Sequence, residues 1–150
     1  MTNEEVIDLL RQAYSDEMET VMNYLTNAIV LEGVSAEEVK ESLRADAEQE
    51  ELQHAQMLGE RLKQLDARPP ASMEFDPHQK SLQPPEDPGD VLSVIDGVIE
   101  AENSAIETYR KLITAAEEAD DPVTEDLAVT ILADEEAHRA EFKGFRREYT

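Results

Sequence analysis

Four long stretches of this sequence repeat apolar side chains at steps of three and four, and each stripe is broken midway by a glutamate, with or without a histidine. A period near 3.6 buries one face of a helix. Each stretch runs to roughly 25–30 residues, or about 40 Å of helix at 1.5 Å per residue. The first spans about 3–32. It opens on Thr2-Asn3-Glu4-Glu5, a capping box, carries Ile7, Leu10, Tyr14, Glu17, Val21, Tyr24, Ala28 and Leu31 on one face, and stops at Gly33. The second spans about 36–65, behind a similar box at Ser35-Ala36-Glu37-Glu38. Its face reads Val39, Leu43, Ala47, Glu51, His54, Leu58, Leu62 and Leu65.

The third begins near Asp90, a suitable N-cap, with Val91, Ile95, Val98, Glu102, Ile106, Tyr109 and Ile113 inward. The fourth follows Asp120-Asp121-Pro122, where Pro122 suits a first helical turn, and presents Leu127, Ile131, Glu135, His138, Phe142, Phe145 and Tyr149. Between the second and third stretches, residues 66–89 hold Pro69, Pro70, Pro77, Pro84, Pro85 and Pro88, which no helix accommodates. A connection that long carries the chain from one end of a bundle to the other. A flexible linker between two helical hairpins is the alternative, but each hairpin alone leaves an apolar stripe exposed. The expectation is one all-α domain over 1–150, an antiparallel four-helix bundle with a long crossover between helices two and three.

The interruptions carry the chemistry. Glu17, Glu51, His54, Glu102, Glu135 and His138 all lie mid-stripe. Glu-x-x-His sets two donors one turn apart on a single helical face, and it occurs twice, at Glu51–His54 and Glu135–His138. The halves of the chain match further. Glu17 and Glu102 each precede a tyrosine, Tyr24 and Tyr109, by the same interval. Four carboxylates buried together are prohibitive unless neutralised. Two divalent cations balance four glutamates, and oxygen and imidazole donors without sulfur suit iron or manganese, and zinc less specifically. One Glu from each of two helices plus Glu-x-x-His from the other two is the donor set of di-iron carboxylate bundles.

Bland readings stand beside these. A buried Glu is sometimes paired with a buried Arg, but the inner faces offer few. Glu19, the rival of Glu17, falls with Gln12, Asp16, Asn23 and Thr26 on a face read as solvated. Glu50, Glu100, Glu107 and Glu136 fall on exposed faces by spacing, and His78 in the Pro-rich loop is read as surface. Tyr24 and Tyr109 are either core aromatics or donors to ligand carboxylates, since buried phenols need partners.

Composition narrows the setting. Thirty-six acids against 13 bases give a net charge of -23, which disfavours nucleic acid. The same charge attracts metal cations, and it equally suits a protein adapted to high salt. No cysteine is present, so thiolate and iron–sulfur sites are excluded. No apolar run is long enough for a membrane span, and the first residues lack a signal-peptide pattern; the expectation is a cytoplasmic protein.

The residues resemble bacterioferritin and the wider ferritin-like superfamily across all four helices. Ile131-Leu132-Ala133-Asp134-Glu135-Glu136-Ala137-His138 is similar to the fourth-helix metal motif of bacterioferritins. Glu50-Glu51-Leu52-Gln53-His54-Ala55 is similar to their second-helix motif, and Glu17 with Tyr24 matches their first helix. The resemblance implies that Glu51 and Glu135 bridge two metals, that Glu17 with His54 completes one and Glu102 with His138 the other, and that Glu50 and Asp134 support the histidines. Leu52 stands where that family has a haem-ligating Met, so no haem is expected. With Thr150 as its last residue, the short fifth helix that helps build their cage is not expected. The paired tyrosines resemble rubrerythrins, although Ala105 stands where those carry an extra Glu.

The function this implies is a ferroxidase: two iron ions per chain, Fe(II) oxidised to Fe(III) by O2 or H2O2, for storage or detoxification, in a homo-oligomer. The alternatives are a peroxidase or oxidase of rubrerythrin type with iron or manganese, a di-iron hydroxylase of an organic substrate, and a module whose metal only staples the bundle.

Overall fold

A computed structural model of the chain describes residues 3–149. Helix α1 is Asn3–Val30. A second rod is built from α2, Glu37–Ala45, a π-helical turn, Asp46–Glu51, and α3, Leu52–Gln64. Helices α4, Val91–Glu118, and α5, Pro122–Arg146, complete four rods, and no strand occurs among the described residues.

The third and fourth rods start where a side chain satisfies a free amide. Asp90 accepts from Ser93 N at 3.1 Å, and Asp121 from Thr124 N at 3.1 Å with Pro122 in the first turn. The expected box at Ser35 does not form. Val34–Ala36 is a 3-10 turn, α2 starts without a side-chain cap, and the Ser35 carbonyl accepts from the Tyr149 hydroxyl. Thr2, the cap expected of α1, lies outside the described residues.

Packing fixes the directions. One apolar core gathers Tyr24, Ala28 and Leu31 with Val39, Leu43, Val91, Ile95 and Phe142. The other gathers Val6 and Leu10 with Leu58, Leu62, Leu112, Ala115 and Ala128. The start of α1 therefore meets the end of the second rod, the end of α4 and the start of α5. The second rod and α4 run parallel to each other and opposite to α1 and α5, as a crossover requires. Between the two cores lies a polar band formed by the stripe interruptions.

The crossover is docked, not slack. Leu82 is buried, and its carbonyl accepts from Asn27 Nδ2 at 2.7 Å. Glu19 is no solvated residue: it is 4% exposed and accepts from the backbone amides of His78 and Gln79, the latter at 2.7 Å. The loop thus covers a side of α1 that periodicity alone leaves in water, so Thr20, Asn23 and Asn27 are buried as well. The crossover passes so close to α4 that a methyl on Gly97 would lie 2.0 Å from the Ser81 carbonyl oxygen. Only a residue without Cβ fits there.

The second rod also departs from the regular helix expected over 36–65. Its inward positions Val39, Leu43, Ala47 and Glu51 recur every four residues, more than one turn of an α-helix. The wider π turn absorbs the excess and keeps both halves of the rod facing the bundle axis.

Candidate metal centre

The polar band holds Glu17 from α1, Glu51 from the π turn, His54 from α3, Glu102 from α4, and Glu135 and His138 from α5. Each is 1–5% exposed. The structure brings all six together as two overlapping groups. Donor atoms of Glu17, Glu51, His54 and Glu135 lie within 4.8 Å of one another, as do those of Glu51, Glu102, Glu135 and His138. Glu51 and Glu135 belong to both.

Both histidines are held from behind. His54 Nε2 lies 2.8 Å from Asp134 Oδ2, and His138 Nε2 lies 2.6 Å from Glu50 Oε2. With the Nε2 proton committed outward, each Nδ1 faces the cluster: His54 Nδ1 is 3.4 Å from Glu135 and 3.6 Å from Glu17, and His138 Nδ1 is 3.2 Å from Glu51. The tyrosines cross between α1 and α4. Tyr24 donates to Glu102 at 2.7 Å, and Tyr109 donates to Glu17 at 2.5 Å.

Even so, every one of the six keeps one buried donor or acceptor atom without a hydrogen-bond partner: Glu17 Oε1, Glu51 Oε1, His54 Nδ1, Glu102 Oε1, Glu135 Oε1 and His138 Nδ1. Buried polar atoms are rarely left so, and six converging at one place mark a position for something absent from the chain itself. Among the described residues, the ion-pair partners of these glutamates are the two histidines; no arginine enters the band.

Burial, and then the charge of Glu17, pushes Glu51 and Glu135 well above the usual carboxylate range. Burial acts upward on Glu17 too, but its contacts with Glu51, His54 and Tyr109 prevail and hold it low. Burial acts downward on the histidines and is outweighed by the surrounding carboxylates, which lift His138 to about 11. Charge buried this densely needs neutralising, by protons or by divalent cations.

Other residues fall as follows. Glu100 and Glu107 are exposed, and Glu136 is half-buried and pairs with Arg110 at 3.2 Å. His78 is on the surface, as expected, yet its ring is bonded to Asp16 at 2.6 Å. Sequence reading missed Asp46. It is 6% exposed, lies 3.6 Å from His138, and keeps Oδ2 unpartnered. Helical spacing gave no inward place to it; the π turn does.

A four-rod bundle with a long crossover and a buried carboxylate–imidazole cluster at mid-length defines a class of helical proteins, and the comparisons agree on which. The sequence model of the ferritin-like domain matches residues 7–149, and the chain belongs to that family. No curated protein matches it by sequence.

Solved structures share the fold. The bacterioferritin of Rhodobacter capsulatus, described with a metal-free dinuclear site and haem iron, is 21% identical with a TM-score of 0.84, over 99% of this chain and 88% of that one. The dodecameric thioferritin of Bacteroides fragilis, a bacterioferritin-related protein, is 25% identical with a TM-score of 0.84, over 99% and 88%. A ferritin-like di-iron-carboxylate protein of Bacillus anthracis is 22% identical with a TM-score of 0.84, over 97% and 99%. Among the described residues no helix is long and apolar enough to cross a membrane.

Proposed function

We propose that this chain is a non-haem di-iron ferroxidase, folded as one domain, that oxidises Fe(II) to Fe(III) with O2 or H2O2 for storage or detoxification. The observation that carries the reading is the set of six unpartnered atoms, one on each of Glu17, Glu51, His54, Glu102, Glu135 and His138. Glu51 and Glu135, common to both groups, would bridge two ions; Glu17 with His54, and Glu102 with His138, would complete them. Carboxylate and imidazole donors suit iron, and manganese or zinc would also fit.

Iron, when bound, supplies the redox chemistry, one electron leaving each Fe(II) for the oxidant. The protein's part is to hold and to shield. Asp134 and Glu50 fix the histidine tautomers, Tyr24 and Tyr109 orient the terminal carboxylates, and the two apolar cores close the band from above and below. Leu52, 38% exposed, offers no ligand to haem. A homo-oligomer in the cytoplasm suits this reading. Exposed Met22 and Ile29 on α1 supply an apolar strip for a second copy.

Anaerobic titration with Fe(II), followed by admission of O2 and optical detection of Fe(III), tests the reading. Two irons oxidised per chain support it; no saturable binding defeats it. A peroxide-reducing role is the second reading, motivated by the two hydroxyls already bonded to the cluster. Sustained peroxide turnover without iron accumulation would favour it.

A further inference from the structure

Two hollows meet at the hydrogen-bonded pair Asp16–His78. Outside lies a surface groove whose charged border is Arg11, Asp16, Glu74, Asp76 and His78. Inside, under the crossover and between α1 and α4, is a cavity of about 220 Å³ whose lining also includes Asp16 and His78, and whose depth reaches Glu17, Glu102 and Glu135. The short side chains of Ala13, Thr20, Ala105 and Thr108 leave this space open. Among the charged groups lining it, the carboxylates of Asp16, Glu17, Glu100, Glu102 and Glu135 outnumber the single lysine, Lys80.

We infer that this is the entry path for the divalent cation and that the Asp16–His78 pair is its latch. The inference rests on the di-metal reading of the site. Three features make His78 the moving part. Its side chain is 58% exposed, so it has room to turn. Its backbone is anchored independently, because its amide donates to Glu19 at 3.0 Å. Its ring is bonded to Asp16 at 2.6 Å, the hydrogen bond that holds it across the passage. Asp16 and Glu17 both line this cavity, so a cation released from the latch enters the space that a ligand of the centre faces. The acidic lining draws cations inward and disfavours anions.

A latch slows entry and exit alike and leaves equilibrium affinity untouched, which separates it from a ligand. The test is stopped-flow binding of Co(II), an air-stable probe with visible absorption, to the full chain and two variants. His78→Ala is expected to raise both association and dissociation rates about tenfold, with two Co(II) per chain and an unchanged Kd. Ala105→Leu, which fills the cavity, is expected to lower both rates, also at unchanged Kd. Unchanged rates in both variants with intact stoichiometry overturn the path and leave the metal centre standing. A weakened Kd in His78→Ala also overturns the latch, since it makes His78 a ligand or a structural support. If the parent binds no Co(II), the metal reading falls and the path with it.

Discussion

The hydroxyl of Tyr109 lies 2.5 Å from Glu17 Oε2, reaching from α4 to a carboxylate on α1. Tyr24 makes the reciprocal bond from α1 to Glu102. Both phenols are held well above their usual range, first by burial and then by the carboxylates they face, so each remains a donor at any ordinary pH. Tyr109→Phe removes only that donor. It is expected to weaken metal binding at the position served by Glu17 about tenfold and to spare the other. Tyr24→Phe should show the mirror image in a titration that resolves two steps.

Shared and terminal carboxylates should differ in kind. Glu51→Ala or Glu135→Ala is expected to take binding from two ions per chain to none, because each serves both groups. Glu17→Ala or Glu102→Ala should leave one. Metal analysis after gel filtration distinguishes the two patterns, and two tightly held ions in Glu51→Ala would contradict the assignment.

Glu19→Ala should retain two ions per chain, since Glu19 faces the crossover and not the centre. It removes the acceptor of the His78 and Gln79 amides, charge-assisted bonds whose loss costs about 2–3 kcal/mol. Urea unfolding measures the cost, and metal stoichiometry measures the separation of the two roles.

That division marks where sequence stops being legible. That these six residues gather at one place was readable because a charge inside an apolar stripe needs a reason, and because the two halves of the chain repeat the same offence at matched positions. The crossover was readable from its prolines. Glu19 was not, since its partners lie 59 and 60 residues away and no periodicity encodes where a loop will settle. Ser35 shows the converse. Its capping pattern is sound locally, yet the turn formed by Val34–Ala36 overrides it. Asp46 sits between these cases, its inward aim depending on a π turn that exact steps of four residues only hint at.

Gly97→Ala tests the crossover's seat from the opposite side. Its methyl would meet the Ser81 carbonyl, which belongs to backbone and cannot rotate away. A loss of about 1–3 kcal/mol is expected, the usual range for overpacking. Thermal unfolding provides the measurement. A neutral outcome would mean that the crossover is not pressed against α4.

Asp121 supplies a pH signature remote from the centre. Burial acts upward on its carboxyl, but the Thr124 hydroxyl and amide, with Arg61 at 2.8 Å, prevail and hold it below its ordinary value. A group lowered on folding stabilises above its unfolded value, near 3.9, and loses that contribution as pH falls through the folded one. Asp121→Asn should therefore be less stable than the parent at pH 7 by about 1–2 kcal/mol. The gap should narrow near pH 3, and urea titrations at both pH values read it directly.

The broad turn at Asp46–Glu51 makes architecture and chemistry separable within one rod. It contains one residue more than an ordinary helix needs. Excising that surplus would let Leu43 and Leu58 stay in their respective cores on an uninterrupted coil, while Asp46 and Glu50 lost their common aim at His138. A lineage that shed a single codon there would inherit a sound bundle with a disarmed middle.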